Sequence, residues 1–219
     1  MGQNSQVANV VIAIDGPAGS GKTSLTIELA KRYKIPYLLT GNLYRTLALK
    51  LMNQDLSTIS INKIEKVIGS ITEEDLESLA LKSEEVSLYA SKIAKDPSIR
   101  DLLNDFQRNW IASKQFSIVE GRDIATVIYP EAAIKLFLIA SPEVRAARRL
   151  AELKGAKGIT YESVLENIKV RDVEDQCRKT APLKKADDAM LLDTTNKTIE
   201  NMIDAAGKII EKKLTILRR

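Results

Sequence analysis

The chain has 219 residues, 44% of them hydrophobic and 28% charged, a balance that supports a packed core and argues against disorder. Lys and Arg number 33 against 29 Asp and Glu, a formal charge of +4, with aromatics at 5% and no histidine. There is therefore no catalytic imidazole, and the dense basic stripe with interleaved aromatics expected of a nucleic-acid binder is missing. The lone cysteine, Cys177, cannot form an internal disulfide, which suits a reducing compartment. No apolar run approaches the ~20 residues of a membrane helix. The opening, Met1 to Asn9, lacks the basic head and apolar stretch of a secretory signal. The expectation is a cytoplasmic protein with no membrane partner.

In chain order, Val10–Ile14 is an apolar, β-branched run that predicts a strand buried on both faces. A glycine-rich turn follows, then a helix over 24–33, a short strand over 37–39 after Pro36, and a helix over 43–52. From Asp55 to Glu85 the texture turns acidic and polar with weak periodicity, which predicts an insertion or a mobile subdomain. Residues 86–114 read as helix interrupted near Pro97. Buried strands are expected at 116–119 and 133–139. Ser141-Pro142 opens a helix to 153, with the serine as cap and the proline in the first helical position. Gly155 and Gly158 flank a loop, 161–177 is a charged helix, 190–192 a last strand, and 198–217 a closing amphipathic helix. Strands alternating with helices predict an α/β fold with a parallel sheet of about five strands and helices on both faces. Ligands in such sheets sit beyond the carboxyl ends of the strands.

Gly16-Pro17-Ala18-Gly19-Ser20-Gly21-Lys22-Thr23, with Ser24 after it, fits G-x-x-x-x-G-K-[ST] at each fixed position. It stands between a predicted strand and a predicted helix, the context a phosphate-binding loop requires. Backbone N–H groups must turn inward around phosphate oxygens, which glycines permit, and the helix start adds its positive dipole end. Lys22 supplies charge to the β- and γ-phosphates and the Thr23 hydroxyl is a magnesium ligand. Asp15, beside the loop, could hold one of magnesium's own ligands in place, could orient Lys22, or could cap the turn. A GTPase would carry N-K-x-D, but Asn196-Lys197-Thr198-Ile199 lacks the aspartate. A motor ATPase would end a strand in an acid, but 133–139 runs into Ala140-Ser141. Arginines follow nearly every later element, at Arg45, Arg100, Arg108, Arg122, Arg145, Arg148, Arg149, Arg171 and Arg178. That distribution suits a second phosphorylated ligand.

Three further segments are specific. Thr40-Gly41-Asn42-Leu43-Tyr44-Arg45, Glu120-Gly121-Arg122-Asp123, and Arg171-Asp172-Val173-Glu174-Asp175-Gln176-Cys177-Arg178 with Ala181-Pro182-Leu183 together resemble the bacterial cytidylate kinases, P-loop nucleoside monophosphate kinases. The resemblance runs from about Val10 to the final helix. It implies transfer of the γ-phosphoryl group of ATP, with Mg2+, to CMP or dCMP by a monomeric enzyme that has no nucleic-acid partner.

It also implies roles for individual residues. Lys22, Arg122 and Arg178 would be catalytic. Arg45, Arg122 and Arg178 would hold the acceptor phosphate, with Thr40 in the same site. Ser91, Arg108 and Asp123 would read the cytosine edge, and Arg171 and Asp175 would meet the sugar. Arg145, Arg148 and Arg149 would sit on or near a lid over the triphosphate. The same resemblance divides one kinase domain into a core (10–54, 115–140 and 181–219), an acceptor-binding insertion (about 55–114) and a lid (about 141–180). Between Arg45 and Ser91 the chain is shorter than the β-rich insertion these kinases usually carry, without strand alternation. Alternatives from the residues remain open. Arg108 could pair with Asp105, Arg148 and Arg149 with Glu143 or Glu152, and Tyr44 and Trp110 read as core. The acceptor could be UMP, AMP or a shikimate-like alcohol, or the chain could be a nucleotide-dependent nucleic-acid-binding module.

Overall fold

The computed structural model describes residues 9–54, 58–153 and 158–217. Asp55 and Gly155 of the expected insertion and loop, and the first eight residues, lie outside them. Strand β1 (Val10–Asp15) is central in a five-stranded sheet. Its neighbours are β3 (Phe116–Gly121) and β4 (Ile134–Ile139), with β2 (Tyr37–Leu39) outside β3 and β5 (Met190–Asp193) outside β4. The pairs β1–β3, β1–β4 and β4–β5 are parallel. Strand order therefore reverses at β1, and its carboxyl end lies between the ends of β3 and β4, where a ligand crevice forms.

Two compact units make up the chain. The first comprises 1–38 and 115–219, the second 39–114. In the first, the sheet face carrying Ile12, Ile14, Ile118, Ile134, Leu136, Leu138 and Leu192 packs on Leu25 and Leu29 of α1 (Lys22–Tyr33) and Met202, Ala206 and Ile210 of α9 (Ile199–Leu217). Val11, Ala13 and Val119, on the opposite face, are also fully buried. Two-sided burial is why these strands read as continuous apolar runs rather than alternating ones. Helix α7 (Pro142–Glu152) starts as expected, with Ser141 Oγ accepting from Val144 N at 3.3 Å. Helix α8 (Tyr161–Cys177) starts at a reciprocal cap between Thr160 and Ser163.

The second unit is helical: α2 (Thr40–Leu51), α3 (Ile61–Gly69), α4 (Glu73–Glu77), α5 (Glu84–Ile93) and α6 (Pro97–Ala112). Its core joins Leu43, Leu47 and Leu51 with Ile64, Ile68, Val86, Ala90, Ile93, Ile99 and Leu103. The unit starts at Leu39, ahead of the boundary near 55 expected from sequence, and α2 begins three residues before the expected Leu43. The weakly periodic stretch up to Glu85 is largely helical among its described residues. Ile64 and Ile68, one turn apart, face the core, and Thr72 and Asp75 cap each other at α4. Helices this short show too few turns for a periodic signal in an 11–18-residue window. Pro97 starts α6 rather than interrupting it, with Asp96 accepting from the N–H groups of Ser98 and Ile99. Leu103 is completely buried; Leu103→Ala is expected to cost about 2–5 kcal/mol in urea unfolding, transfer plus cavity terms together.

Candidate active site

The glycine loop leaves β1 where only glycine fits. Gly16 has φ 150°, and a Cβ there would lie 2.2 Å from the carbonyl oxygen of Leu138 on β4. Gly19 and Gly21 adopt left-handed φ of 73° and 89°, turning successive N–H groups to one side. α1 then begins at Lys22, which is 4% exposed and folds back so that Nζ donates to Pro17 O at 2.8 Å. The Ser20 hydroxyl is buried without a hydrogen-bond partner among the described residues.

Glu120 is a residue to which the sequence reading gave no role. It is the penultimate residue of β3, is 5% exposed, and stands opposite Ile14 in the β1–β3 register. The Thr23 hydroxyl donates to its Oε2 at 2.9 Å, and Lys22 Nζ lies 3.9 Å from its Oε1. The strand-terminal acid absent after β4 stands instead on β3, β1's other neighbour. The pattern Phe116–Glu120 was sufficient to find it. A hydroxyl and one carboxylate beside a phosphate loop match the donor set of Mg2+, which takes one or two carboxylates and completes its shell with water and phosphate. Among the described residues no group of three or more Cys, Asp or Glu side chains forms a protein-only metal cage.

Asp15, 1% exposed, accepts from Ile124 N at 2.9 Å and Ala125 N at 2.8 Å. It thus caps the single helical turn Ile124–Ile128 that follows Arg122 and Asp123, rather than the glycine-rich turn beside it. Burial pushes its carboxyl up to about 7, against the pull of those two amides and of Lys22, with Asp123 adding to the rise. A folded-state value above the unfolded 3.8 means folding takes up a proton between the two. The resulting stabilisation is complete below about 3.8 and is lost as pH rises through about 7. Urea midpoints of Asp15→Asn, compared with the parent protein across that range, should lack this downward slope.

Arg122, Asp123, Arg171, Asp175 and Arg178 all lie in the first unit. Arg122 Nε donates to Asp175 Oδ2 at 3.0 Å, and Arg178 Nη2 pairs with Asp175 Oδ1. Burial pushes the Arg122 guanidinium below its ordinary value, while Glu120, Asp15, Asp123 and Asp172 pull it back. Asp123 is 7% exposed, and its carbonyl accepts from Val127 N at 2.8 Å. Arg171 is half-buried on α8.

The three arginines expected near a lid have different surroundings. Arg145 is 3% exposed and forks onto Asp172, at 2.8 and 2.5 Å, while also donating to Ala140 O and Ala18 O. Arg148 donates to the hydroxyl and carbonyl of Thr194, at 3.0 and 2.7 Å. That buried hydroxyl itself donates to Ser20 O at 2.9 Å. Arg149 pairs with Glu152 at 3.0 Å, as one sequence alternative allowed. Asp172 and Thr194 were both missed in sequence, although Thr194 follows β5 at the sheet's carboxyl end, the position that favours ligand contacts.

In the second unit Thr40 is the buried first residue of α2, and Arg45 Nη1 donates to Asn42 Oδ1 at 3.1 Å. Ser91 donates back along α5 to Ser87 O at 3.1 Å. Arg108 lies 3.8 Å from Asp105, its alternative partner. Tyr44 packs on this unit's core, with Arg100 over its ring. Trp110 is half-buried beneath Lys114.

A glycine loop between the central strand and its helix, a buried lysine folded over it, and a hydroxyl–carboxylate pair at the next strand define a P-loop phosphotransferase. Residues 12–212 match the model of the cytidylate kinase family. The cytidylate kinase of Thermosipho melanesiensis is 44% identical over 214 residues, 92% of this chain and 97% of the relative. That of Fusobacterium nucleatum is 40% identical over 215 residues, 93% and 98% of the two chains. The chain belongs to the cytidylate kinase family. In fold it is also similar to an uncharacterized protein from Eubacterium ventriosum, with a TM-score of 0.53 at 16% identity over 94% of this chain and 99% of that one.

Proposed function

We propose that this protein transfers the γ-phosphoryl group of ATP to CMP or dCMP, giving ADP and CDP or dCDP. The observation that carries the reading is a pair of adjoining cationic centres in the first unit. Lys22 sits in the loop 3.9 Å from Glu120. Two residues beyond Glu120, Arg122 joins Arg178 on a single carboxylate. One centre suits the donor's phosphates and the other an acceptor phosphate. Relatives named cytidylate kinase over nearly the whole chain support the acceptor assignment.

Lys22 and the inward N–H groups of the loop residues after Pro17 hold and orient the donor phosphates. Thr23 and Glu120 would hold Mg2+, which when bound neutralises phosphate charge. Arg122 and Arg178 bring the acceptor phosphate into line. Its oxygen is already an anion at neutral pH, so the transfer needs no general base, in keeping with a chain that has no histidine. Catalysis is then positioning and charge neutralisation. A carboxylate at Asp123 accepts from the exocyclic amine of cytosine and repels the carbonyl that uracil presents there. Thr40, Arg45, Ser91 and Arg108 are assigned to the acceptor nucleotide, Arg171 to its sugar, and 141–180 to a lid. The reading is of a monomer in the cytoplasm that acts on small nucleotides, without nucleic acid as partner. No helix among the described residues is long and apolar enough to cross a membrane.

An ADP-release assay with ATP and Mg2+ tests this, offering CMP, dCMP, UMP, AMP and GMP separately. Turnover is expected to be strongest with CMP and dCMP, and Asp123→Ala should erode the preference for CMP over UMP by at least tenfold in kcat/KM. Silence with all five acceptors would overturn the assignment, and unchanged selectivity in the variant would remove Asp123 from base reading.

A further inference from the structure

Asp175 does more in this structure than a sugar contact requires. It lies in the last turn of α8, where its carbonyl accepts from Leu183 N at 2.7 Å, so the chain leaving the helix is tied back onto it. Its carboxylate spends one oxygen on Arg122 and the other on Arg178. Arg122 comes from the end of β3 and Arg178 from the cap of α8, so nothing local brings the two guanidinium groups together. Both are largely buried, with side chains 21% and 17% exposed, and Asp175 is 13% exposed. Two cations held this close in a poorly solvated place repel each other unless an anion lies between them.

A phosphate offers what this carboxylate offers, anionic oxygens that accept N–H donors from two directions, and it brings more charge. The two anions cannot share the same two guanidinium groups, because their like charges would be adjacent. We propose that Asp175 is the resident counter-anion of the acceptor-phosphate seat. It holds Arg122 and Arg178 at phosphate-binding separation in the free protein, and the acceptor's phosphate enters by displacing it. The displaced carboxylate is then available to the acceptor sugar. Phosphate binding therefore works against an internal competitor, and weak anions are excluded from the seat. The inference rests on the assignment of Arg122 and Arg178 to the acceptor phosphate.

The test uses inorganic phosphate, which has no sugar, as a competitor against CMP at saturating ATP in the full chain. Asp175→Asn keeps the side-chain shape but removes the charge, and its inhibition constant for phosphate is expected to fall about tenfold as the charge-assisted contacts to both guanidinium groups are weakened. A merely structural Asp175 would move phosphate binding in the opposite direction. Asp175→Glu retains the charge and should stay within about twofold of the parent protein. Arg122→Ala establishes what the probe reports, and it should weaken phosphate inhibition by tenfold or more. If Arg122→Ala weakens inhibition while Asp175→Asn leaves it unchanged or weaker, the exchange is overturned and the assignment of the seat stands. If Arg122→Ala leaves inhibition unchanged, the seat and the exchange both fail. Should Asp175→Asn fold poorly, Asp175→Ser carries the same expected sign.

Discussion

Lys22→Ala is expected to lower kcat by two to three orders of magnitude in steady-state assays with ATP and CMP, with a much smaller change in KM for CMP. Lys22 is the cation enclosed by the loop, 4% exposed, with Pro17 O and Glu120 around it. A charge kept in place and sheltered from water is most useful where negative charge shifts during transfer. Removing one such preorganised group typically costs about 100- to 1000-fold. An interaction that strengthens in the transition state appears in kcat rather than in uniform binding. The variant should still fold, at some cost in stability, since Lys22 belongs to neither apolar core and Glu120 keeps the Thr23 hydroxyl as a donor. Near-normal turnover by Lys22→Ala would sink the mechanism.

Arg145→Ala should be the most destabilising of the arginine substitutions, by about 3–5 kcal/mol in urea unfolding. Its fork engages both oxygens of Asp172 while its other contacts reach Ala140 O and Ala18 O. Deleting one partner of a buried ion pair leaves the other charge uncompensated, which is the costly case. Arg145→Lys should recover only part of the loss, because an ammonium cannot reproduce the planar two-pronged contact. The family resemblance assigned Arg145 to a lid over the triphosphate. In this structure the side chain ties α7 to α8, both within that lid segment, and to the loop carbonyl of Ala18. A variant of unchanged stability whose KM for ATP rises tenfold would make ATP binding, rather than this tie, its main role.

Legibility divides along the range of the interactions concerned. The phosphate loop was readable at every position because its requirements are local: glycines where a side chain cannot fit, then a lysine and a threonine at the helix start. The strands at 10–15, 116–121, 134–139 and 190–193 lay within two residues of their expected ends, because each carries a short run of apolar, largely branched side chains bounded by polar residues. The second unit was hard to read because α3 and α4 hold only 9 and 5 residues. Their core contacts come one or two to a helix and establish no period.

The phosphate loop, the parallel α/β class and the family are legible without coordinates, because each rests on residues close together in the chain or on motifs in order. The partners of charged residues that meet across elements follow only from the folded arrangement. It placed Glu120 beside Thr23, Asp15 under the amides of Ile124 and Ala125, Asp172 against Arg145, and Asp175 between Arg122 and Arg178. Apart from neighbours one helical turn away, such as Arg149 with Glu152 and Arg108 with Asp105, an arginine or a carboxylate has no spacing that names its partner. The pairing is settled by which strand ends and helix faces the fold brings within hydrogen-bond reach, and by burial, which makes leaving either charge alone expensive.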